Sequence, residues 1–174
     1  MIEPTYNNSY NSPCLIVPKK DSDEWRVVID FRKINKQLMP NAETIPTISN
    51  IFRKLDGKKY FSSIDLTKCY WQLPLNKRDR KFLGFTDYRG QQWQYKRAAM
   101  GIMTTSQYCQ SVMRNIFNGI PVQIYLDDIL IAEDSIEKHN KVLKAVINRT
   151  IKHNIDINII NSKFGSTLKR DITE

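Results

Sequence analysis

The chain has 174 residues, of which 41% are hydrophobic and 26% are charged, and this composition is typical of a globular domain rather than a disordered segment. Lys and Arg number 27 against 18 Asp and Glu, and the resulting net charge of +9 favours polyanionic partners such as nucleic acid or nucleotides. The sequence shows neither an apolar run long enough to span a membrane nor a signal peptide, so we expect an intracellular protein, cytoplasmic or nuclear, without membrane contact.

The predicted elements mix strands and helices without a regular alternation, which indicates the α+β class. Residues 1–10 are rich in Asn, Ser and Pro and are typical of an extended N-terminal arm. Predicted strands cover residues 14–18, 25–30, 60–64, 71–75, parts of 82–85 and 92–95, 122–126, 129–132 and 155–160. Predicted helices cover residues 45–55, 104–117 and 135–153.

Cysteine and histidine are scarce. Cys14, Cys69 and Cys109 lie far apart and form no CxxC pair, so we expect reduced and mostly buried thiols rather than a zinc site or a disulfide framework. His139 and His153 lie in a Lys-rich helical stretch, where a solvated helix face is the simplest interpretation. Metal sites built on histidine, and Ser-His-Asp triads, are therefore disfavoured.

Asp127 and Asp128 are the most informative pair, because they alone separate two strongly apolar predicted strands. One interpretation is a solvated hairpin turn, which tolerates Asp. The other is a cation site, because adjacent carboxylates repel each other and a polyvalent cation removes that cost.

Asp65 ends another apolar strand and is open to two interpretations as well: a helix N-cap, or a third carboxylate beside Asp127 and Asp128. Three carboxylates would form an all-oxygen site suited to Mg²⁺. Paired Mg²⁺ ions are how polymerases activate a 3′-hydroxyl and stabilise departing pyrophosphate. A basic chain with such a site fits nucleotidyl transfer better than zinc hydrolysis. Among the basic residues, Arg26 stands out, because it lies within a predicted strand, where it could contact phosphate bidentately.

Several blocks, in order, resemble the reverse transcriptases of gypsy-type LTR retrotransposons. Tyr125-Leu126-Asp127-Asp128 is similar to the YxDD motif of that family. Residues 12–21 resemble the start of the fingers hairpin, and residues 25–36 resemble its WR…VDYRxLNK block. Residues 60–72 resemble the YFSxxDLxxGYxQ block, and residues 97–110 resemble the block that grips the template.

The resemblance implies the fingers and palm of a right-hand polymerase, with a ferredoxin-like palm of mixed antiparallel sheet and packed helices. The expected division is an N-terminal arm (1–10), fingers (11–59 and 77–98), palm (60–76 and 99–165) and a tail (166–174). The thumb, connection and RNase H regions are expected to be missing, which is typical of a fragment of a larger polyprotein or of a degraded reading frame.

The same resemblance implies roles for individual residues. Asp65 and Asp127 would be shared ligands of two Mg²⁺ ions, or of Mn²⁺ in their place, with Asp128 as the auxiliary carboxylate. The implied substrate-binding residues are Lys19 and Arg26 at the triphosphate, Cys69 through its backbone N–H, and Tyr70 as the steric gate against a 2′-hydroxyl. The implied template-binding residues are Arg97 and Gln110. The implied partners are a primed RNA or DNA template and deoxynucleoside triphosphates.

The chain departs from the family pattern at two places. Lys68 and Cys69 replace a small residue and Gly before the gate tyrosine, and prolines are lost from residues 99–106, which loosens a turn against the template. The leading hypothesis is an RNA-directed DNA polymerase domain. The alternatives are an inactive or domesticated remnant that binds nucleic acid, and an RNA-templated RNA polymerase, which would not need the gate Tyr70.

Overall fold

The structure, a computed structural model, describes residues 1–19, 23–39 and 44–167. The chain divides into two compact units: unit 1 comprises Met1–Asn41 and Tyr70–Thr105, and unit 2 comprises Ala42–Cys69 and Ser106–Glu174. Both contain antiparallel strands together with helices, which confirms the α+β prediction. In the described part of the chain, no helix is both long and apolar enough to cross a membrane.

The elements follow one another along the chain. The strands are β1 (Ile2–Pro4), β2 (Cys14–Pro18), β3 (Trp25–Ile29), β4 (Tyr60–Leu66), β5 (Gly84–Thr86), β6 (Gln92–Tyr95), β7 (Gln123–Tyr125), β8 (Asp128–Glu133) and β9 (Ile157–Ser166). The helices are α1 (Arg32–Asn35), α2 (Ile48–Leu55), α3 (Cys69–Gln72), α4 (Thr105–Ile116) and α5 (Ile136–Lys152).

Unit 1 contains the predicted hairpin and a second small sheet. Strands β2 and β3 pair in antiparallel register, with Val17 opposite Arg26. The other sheet has the order β1-β6-β5, so part of the predicted arm pairs as a strand with β6. A buried apolar core in unit 1 contains Ile29, Phe31, Leu83, Phe85 and Ala99.

The strand predicted over residues 71–75 is wrong. Cys69–Gln72 forms the short helix α3, and the Leu73 N–H donates to the Tyr70 carbonyl at 3.1 Å. The alternation of Trp71, Leu73 and Leu75 resembled a strand pattern, but Leu73 is buried at the end of a helical turn rather than along a strand.

Unit 2 is built on an antiparallel sheet of order β7-β8-β4-β9. Helix α2, capped by Thr47, packs Ile51 and Leu55 against Phe61 on one face of β4. The other face meets α5, where His139 approaches Ser62. Successive strand residues point to opposite faces, so Asp65 lies on the α2 face with Phe61.

The expected division into fingers and palm stays a prediction, and the two compact units have boundaries of their own. Residues 44–59 fall in unit 2, because α2 packs on β4. Residues 70–76 fall in unit 1, because the Leu75 N–H donates to the Lys96 carbonyl and the Leu73 carbonyl accepts from Ala98.

The prediction of a solvated face is wrong for His139. This residue is 1% exposed, and its Nε2 lies 2.9 Å from the Ser62 hydroxyl. It shares the apolar stripe of α5 with Val142 and Val146, which lie three and seven residues further on and are also buried. His153, at the C-terminal end of α5, is exposed as predicted.

Candidate active site

The three candidate carboxylates meet at one end of the unit 2 sheet. Asp65 in β4 is the direct cross-strand partner of Asp128, the first residue of β8. Asp127 lies in the preceding turn, and its carbonyl accepts from the Leu66 N–H at 2.8 Å. Directly opposed residues in an antiparallel pair have Cα atoms about 4.5–5.5 Å apart and point to the same face. The fold therefore brings residue 65 to the 127–128 hairpin.

These carboxylates influence one another electrostatically. The pKa of Asp128 is raised above its ordinary value of 3.8, first by burial and then by the negative charges of Asp127 and Asp65. Both effects disfavour the ionised form. The site therefore concentrates negative charge at a cost in free energy, and a bound cation would offset that cost.

The donor chemistry of this end of the sheet suits a hard divalent cation. Its candidate ligands are carboxylate oxygens, which Mg²⁺ prefers. Across residues 1–19, 23–39 and 44–167, no group of three or more His, Cys, Asp or Glu side chains is already arranged to hold a metal ion. What the structure provides is the backbone placement of Asp65, Asp127 and Asp128, together with their mutual repulsion.

The turn that carries Asp127 has an unusual backbone. Strand β7 ends at Tyr125 and β8 begins at Asp128, so Leu126 and Asp127 form the two-residue turn. Leu126 has φ of +55°, a conformation that favours glycine. A non-glycine residue there stores about 1–3 kcal/mol of strain, and such strain persists only when the surroundings impose it.

Gln110 imposes that conformation from α4. Its Nε2 donates to the Ile124 carbonyl at 2.9 Å, and its Oε1 accepts from the Leu126 N–H at 2.9 Å. Gln110 is 2% exposed, so its amide is devoted to the hairpin backbone. No local sequence pattern predicts this contact, and the template contact that the resemblance implies for Gln110 stays a prediction.

Two thiols lie beneath the hairpin. Cys69 and Cys109 are both buried and free, and the Cys109 Sγ lies 3.9 Å from the Leu126 carbonyl. The pKa of Cys69 is raised above its ordinary value by its hydrogen bond with Cys109 and by burial. Both residues agree with the prediction of reduced, buried cysteines, and Cys14 is half-buried.

A cleft of about 480 Å³ opens on the α2 face of the sheet. Ile48, Ile51 and Phe52 of α2 form an apolar wall. Asp65 and Asp128 belong to the sheet side of the cleft, together with Ser63, Tyr125, Leu130, Asn161 and Lys163. The two carboxylates therefore border a space large enough to admit a ligand.

The remaining predicted site residues, apart from Cys69, lie in unit 1. Lys19 follows β2 and forms an ion pair with Glu24, while Arg26 is exposed on β3. Arg97 donates to the Gln72 carbonyl at 2.6 Å, and Tyr70 is half-buried in α3. Their roles at a nucleotide or template stay predictions.

Comparison with known proteins settles the family. The model of the family described as "Reverse transcriptase (RNA-dependent DNA polymerase)" matches residues 17–169. The chain belongs to the reverse transcriptase family.

Relatives and solved structures agree with this assignment. The chain is 34% identical to the retrovirus-related Pol polyprotein from transposon 412 of Drosophila melanogaster, over 90% of this chain and 13% of the relative. It is 28% identical to the corresponding polyprotein from transposon gypsy of the same organism, over 89% of this chain and 16% of the relative. A structure of the foamy viral protease-reverse transcriptase in complex with RNA/DNA hybrid superposes with a TM-score of 0.84 at 25% identity, over 94% of this chain and 22% of that one.

These findings confirm the predicted membership in the reverse transcriptase family and the predicted fingers-and-palm fold. The matched relatives include the polyproteins of transposon gypsy and of other transposons, in agreement with the predicted resemblance to gypsy-type elements. The chain spans less than a fifth of the length of the curated polyproteins reported above.

The hairpin support from Gln110 can be tested by Gln110→Leu. We expect a loss of roughly 1–3 kcal/mol in the free energy of unfolding, because the Ile124 carbonyl and the Leu126 N–H lose their partners. Denaturant unfolding measures this change, and hydrogen exchange should show faster exchange at Leu126. Gln107→Leu, on the same helix but half-exposed, is the matched control. Equal stability of the two variants would contradict the assignment.

Burial of Asp128 and its repulsion by Asp127 and Asp65 predict that Asp128→Asn raises the thermal unfolding midpoint of the metal-free protein at neutral pH. Because the pKa of Asp128 is raised in the folded state, its penalty is present at neutral pH and disappears as the pH falls toward the ordinary value of 3.8. The difference between the variant and the native chain should therefore shrink in acid. Asp23→Asn, at an exposed position, is the control. A lower midpoint for Asp128→Asn at neutral pH would refute this account.

Proposed function

We propose that this chain is the fingers and palm region of an RNA-directed DNA polymerase. It would transfer nucleotides from deoxynucleoside triphosphates to a primer 3′-hydroxyl on an RNA or DNA template. The observation that carries the proposal is the pairing of Asp65 with Asp128 beside Asp127, in a chain of the reverse transcriptase family.

Asp65 and Asp127 would hold two Mg²⁺ ions, with Asp128 as the auxiliary carboxylate and Mn²⁺ as a substitute metal. Bound ions of this kind activate the attacking hydroxyl and stabilise the departing pyrophosphate. The chain would contribute oxygen ligands from β4 and from the neighbouring β7–β8 hairpin, and the register between these strands sets the backbone positions of Asp65 and Asp128. The raised pKa of Asp128 agrees with this proposal, because burial and then the charges of Asp127 and Asp65 disfavour its ionised form, which a bound cation would stabilise.

The nucleotide would be bound by residues of the fingers. Arg26 and Lys19 would contact the triphosphate, with Arg26 able to donate two parallel hydrogen bonds. Lys19 would exchange its exposed ion pair with Glu24 for a phosphate, at small cost because exposed pairs contribute little. The backbone N–H of Cys69 would assist, and Tyr70 would occupy the space of a 2′-hydroxyl.

The template strand would contact Arg97, and Gln110 would act on it mainly through the hairpin that its amide holds. The net charge of +9 supports nucleic acid as the partner. The structural relative bound to RNA/DNA hybrid supports the same partner. The matched relatives are Pol polyproteins, which supports a place for this chain within a larger polyprotein. Neighbouring thumb and RNase H regions, and a location in the cytoplasm or nucleus, are part of the same proposal.

Primer extension on an oligonucleotide-primed RNA template with Mg²⁺ or Mn²⁺ tests the proposal. We expect extension by the native chain, and a loss of at least about 100-fold in Asp65→Asn and Asp127→Asn, because each substitution weakens binding of the metal ion that would stabilise charge on the reacting phosphate. Asp23→Asn, an exposed substitution, is the control. Template binding without extension, equal in all variants, would support instead the alternative of an inactive remnant that binds nucleic acid.

The gate proposed for Tyr70 is tested by Tyr70→Ala. Removing the ring should raise ribonucleotide incorporation relative to deoxyribonucleotide incorporation by about 10–200-fold, the range expected when a pocket gains space for one small group. Single-nucleotide insertion with matched dNTP and rNTP pairs measures the ratio. Tyr88→Ala, a substitution of an 83% exposed tyrosine, is the control. An unchanged ratio would argue against the gate and would favour an RNA-templated RNA polymerase.

A further inference from the structure

Asp65 is held from a direction that the sequence did not indicate. We infer that Asn161 in β9 is a positioning residue for Asp65, which it orients for binding a divalent cation. This inference rests on the proposed function. It starts from one contact: the Asn161 Nδ2 donates to the Asp65 Oδ2 at 3.1 Å.

The path of β9 explains how Asn161 reaches that carboxylate. Asp65 pairs with Asn158, and Ser63 pairs with Lys163, so β9 advances five residues while β4 advances two. The extra residues form a bulge opposite the candidate metal ligand. Bulges are common beside active sites, where they redirect a side chain that regular pairing would aim elsewhere.

The bulge is fixed by its own hydrogen bonds. The Ser162 hydroxyl donates to the Asn158 carbonyl at 2.7 Å and accepts from the Asp65 N–H at 3.1 Å. The Asn161 N–H donates to the Asn158 Oδ1 at 3.3 Å. Strand β9 therefore holds Asp65 at its backbone through Ser162 and at its carboxylate through Asn161.

An amide is suited to this task because it is neutral. It satisfies one lone pair of the Asp65 Oδ2 and restricts rotation of the carboxylate, while the negative charge needed for a cation is preserved. A hydrogen-bond donor of this kind, behind a metal-binding carboxylate, typically contributes 10–100-fold, in round terms, to metal affinity. Asn161 is itself exposed, so its contact contributes more to orientation than to the stability of the core.

The test measures Mn²⁺ binding to the full chain without nucleic acid, by electron paramagnetic resonance of free Mn²⁺. Asn161→Leu should weaken Mn²⁺ binding by about 10–100-fold. Asn161→Gln retains the donor and should restore most of the affinity. Asn148→Leu, at an exposed position on α5, is the matched control and should bind like the native chain. Circular dichroism should show similar unfolding midpoints for all of these proteins.

Primer extension supplies a second readout. The Mg²⁺ concentration for half-maximal rate should rise in Asn161→Leu, whereas the rate at saturating Mg²⁺ should change less, because the carboxylate itself is still present.

Three outcomes would overturn the inference. Native Mn²⁺ affinity in Asn161→Leu, with affinity lost in Asp65→Asn, would refute the role of Asn161 and leave the proposed function intact. Native affinity in Asp65→Asn would refute the proposed function and this inference with it. Equal losses of affinity and unfolding midpoint in both the Leu and Gln variants would assign Asn161 a structural role only.

Discussion

The antiparallel register between β4 and β8 is the constraint on which the candidate site depends. A slip of one residue would move every side chain of β4 to the other face and separate Asp65 from Asp128. Buried residues on both faces oppose such a slip: Ile64 and Ile129 lie on the α5 face, and Phe61 lies under α2. The apolar core of unit 2 therefore determines where the carboxylates lie, although none of its side chains takes part in the proposed chemistry.

In contrast to this well-packed core, the end of the sheet that carries the carboxylates contains several locally unfavourable features. Three carboxylates repel one another, and Leu126 adopts a backbone conformation that favours glycine. The buried amide of Gln110 and the bulge of β9 hold this arrangement by hydrogen bonds to backbone and carboxylate. Strain and like-charge repulsion at one end of a sheet, inside a well-packed unit, are typical of functional sites, where stability is given up for preorganisation.

The sequence predicted the strands around the carboxylates because their apolar runs end abruptly at Asp65 and at Asp127. The order of motifs identified the family, which the comparisons confirm. Other features depend on contacts between distant residues and left no local pattern. His139 looked solvated because lysines surround it in the sequence, Gln110 looked like a polar helix residue free to reach a ligand, and Asn161 acts only because β9 bulges. Helix α3 was missed because its apolar spacing also fits a strand.

The positive φ of Leu126 restricts which mutations the hairpin tip can accept. Side chains branched at Cβ, such as Val, Ile and Thr, clash with the backbone in this region, whereas Gly and Asn adopt it readily. Position 126 lies between two apolar strands, but its backbone conformation disfavours the β-branched residues that strands usually contain. A β-branched residue at position 126 would therefore displace Asp127, so backbone geometry rather than hydrophobicity limits which side chains this position accepts.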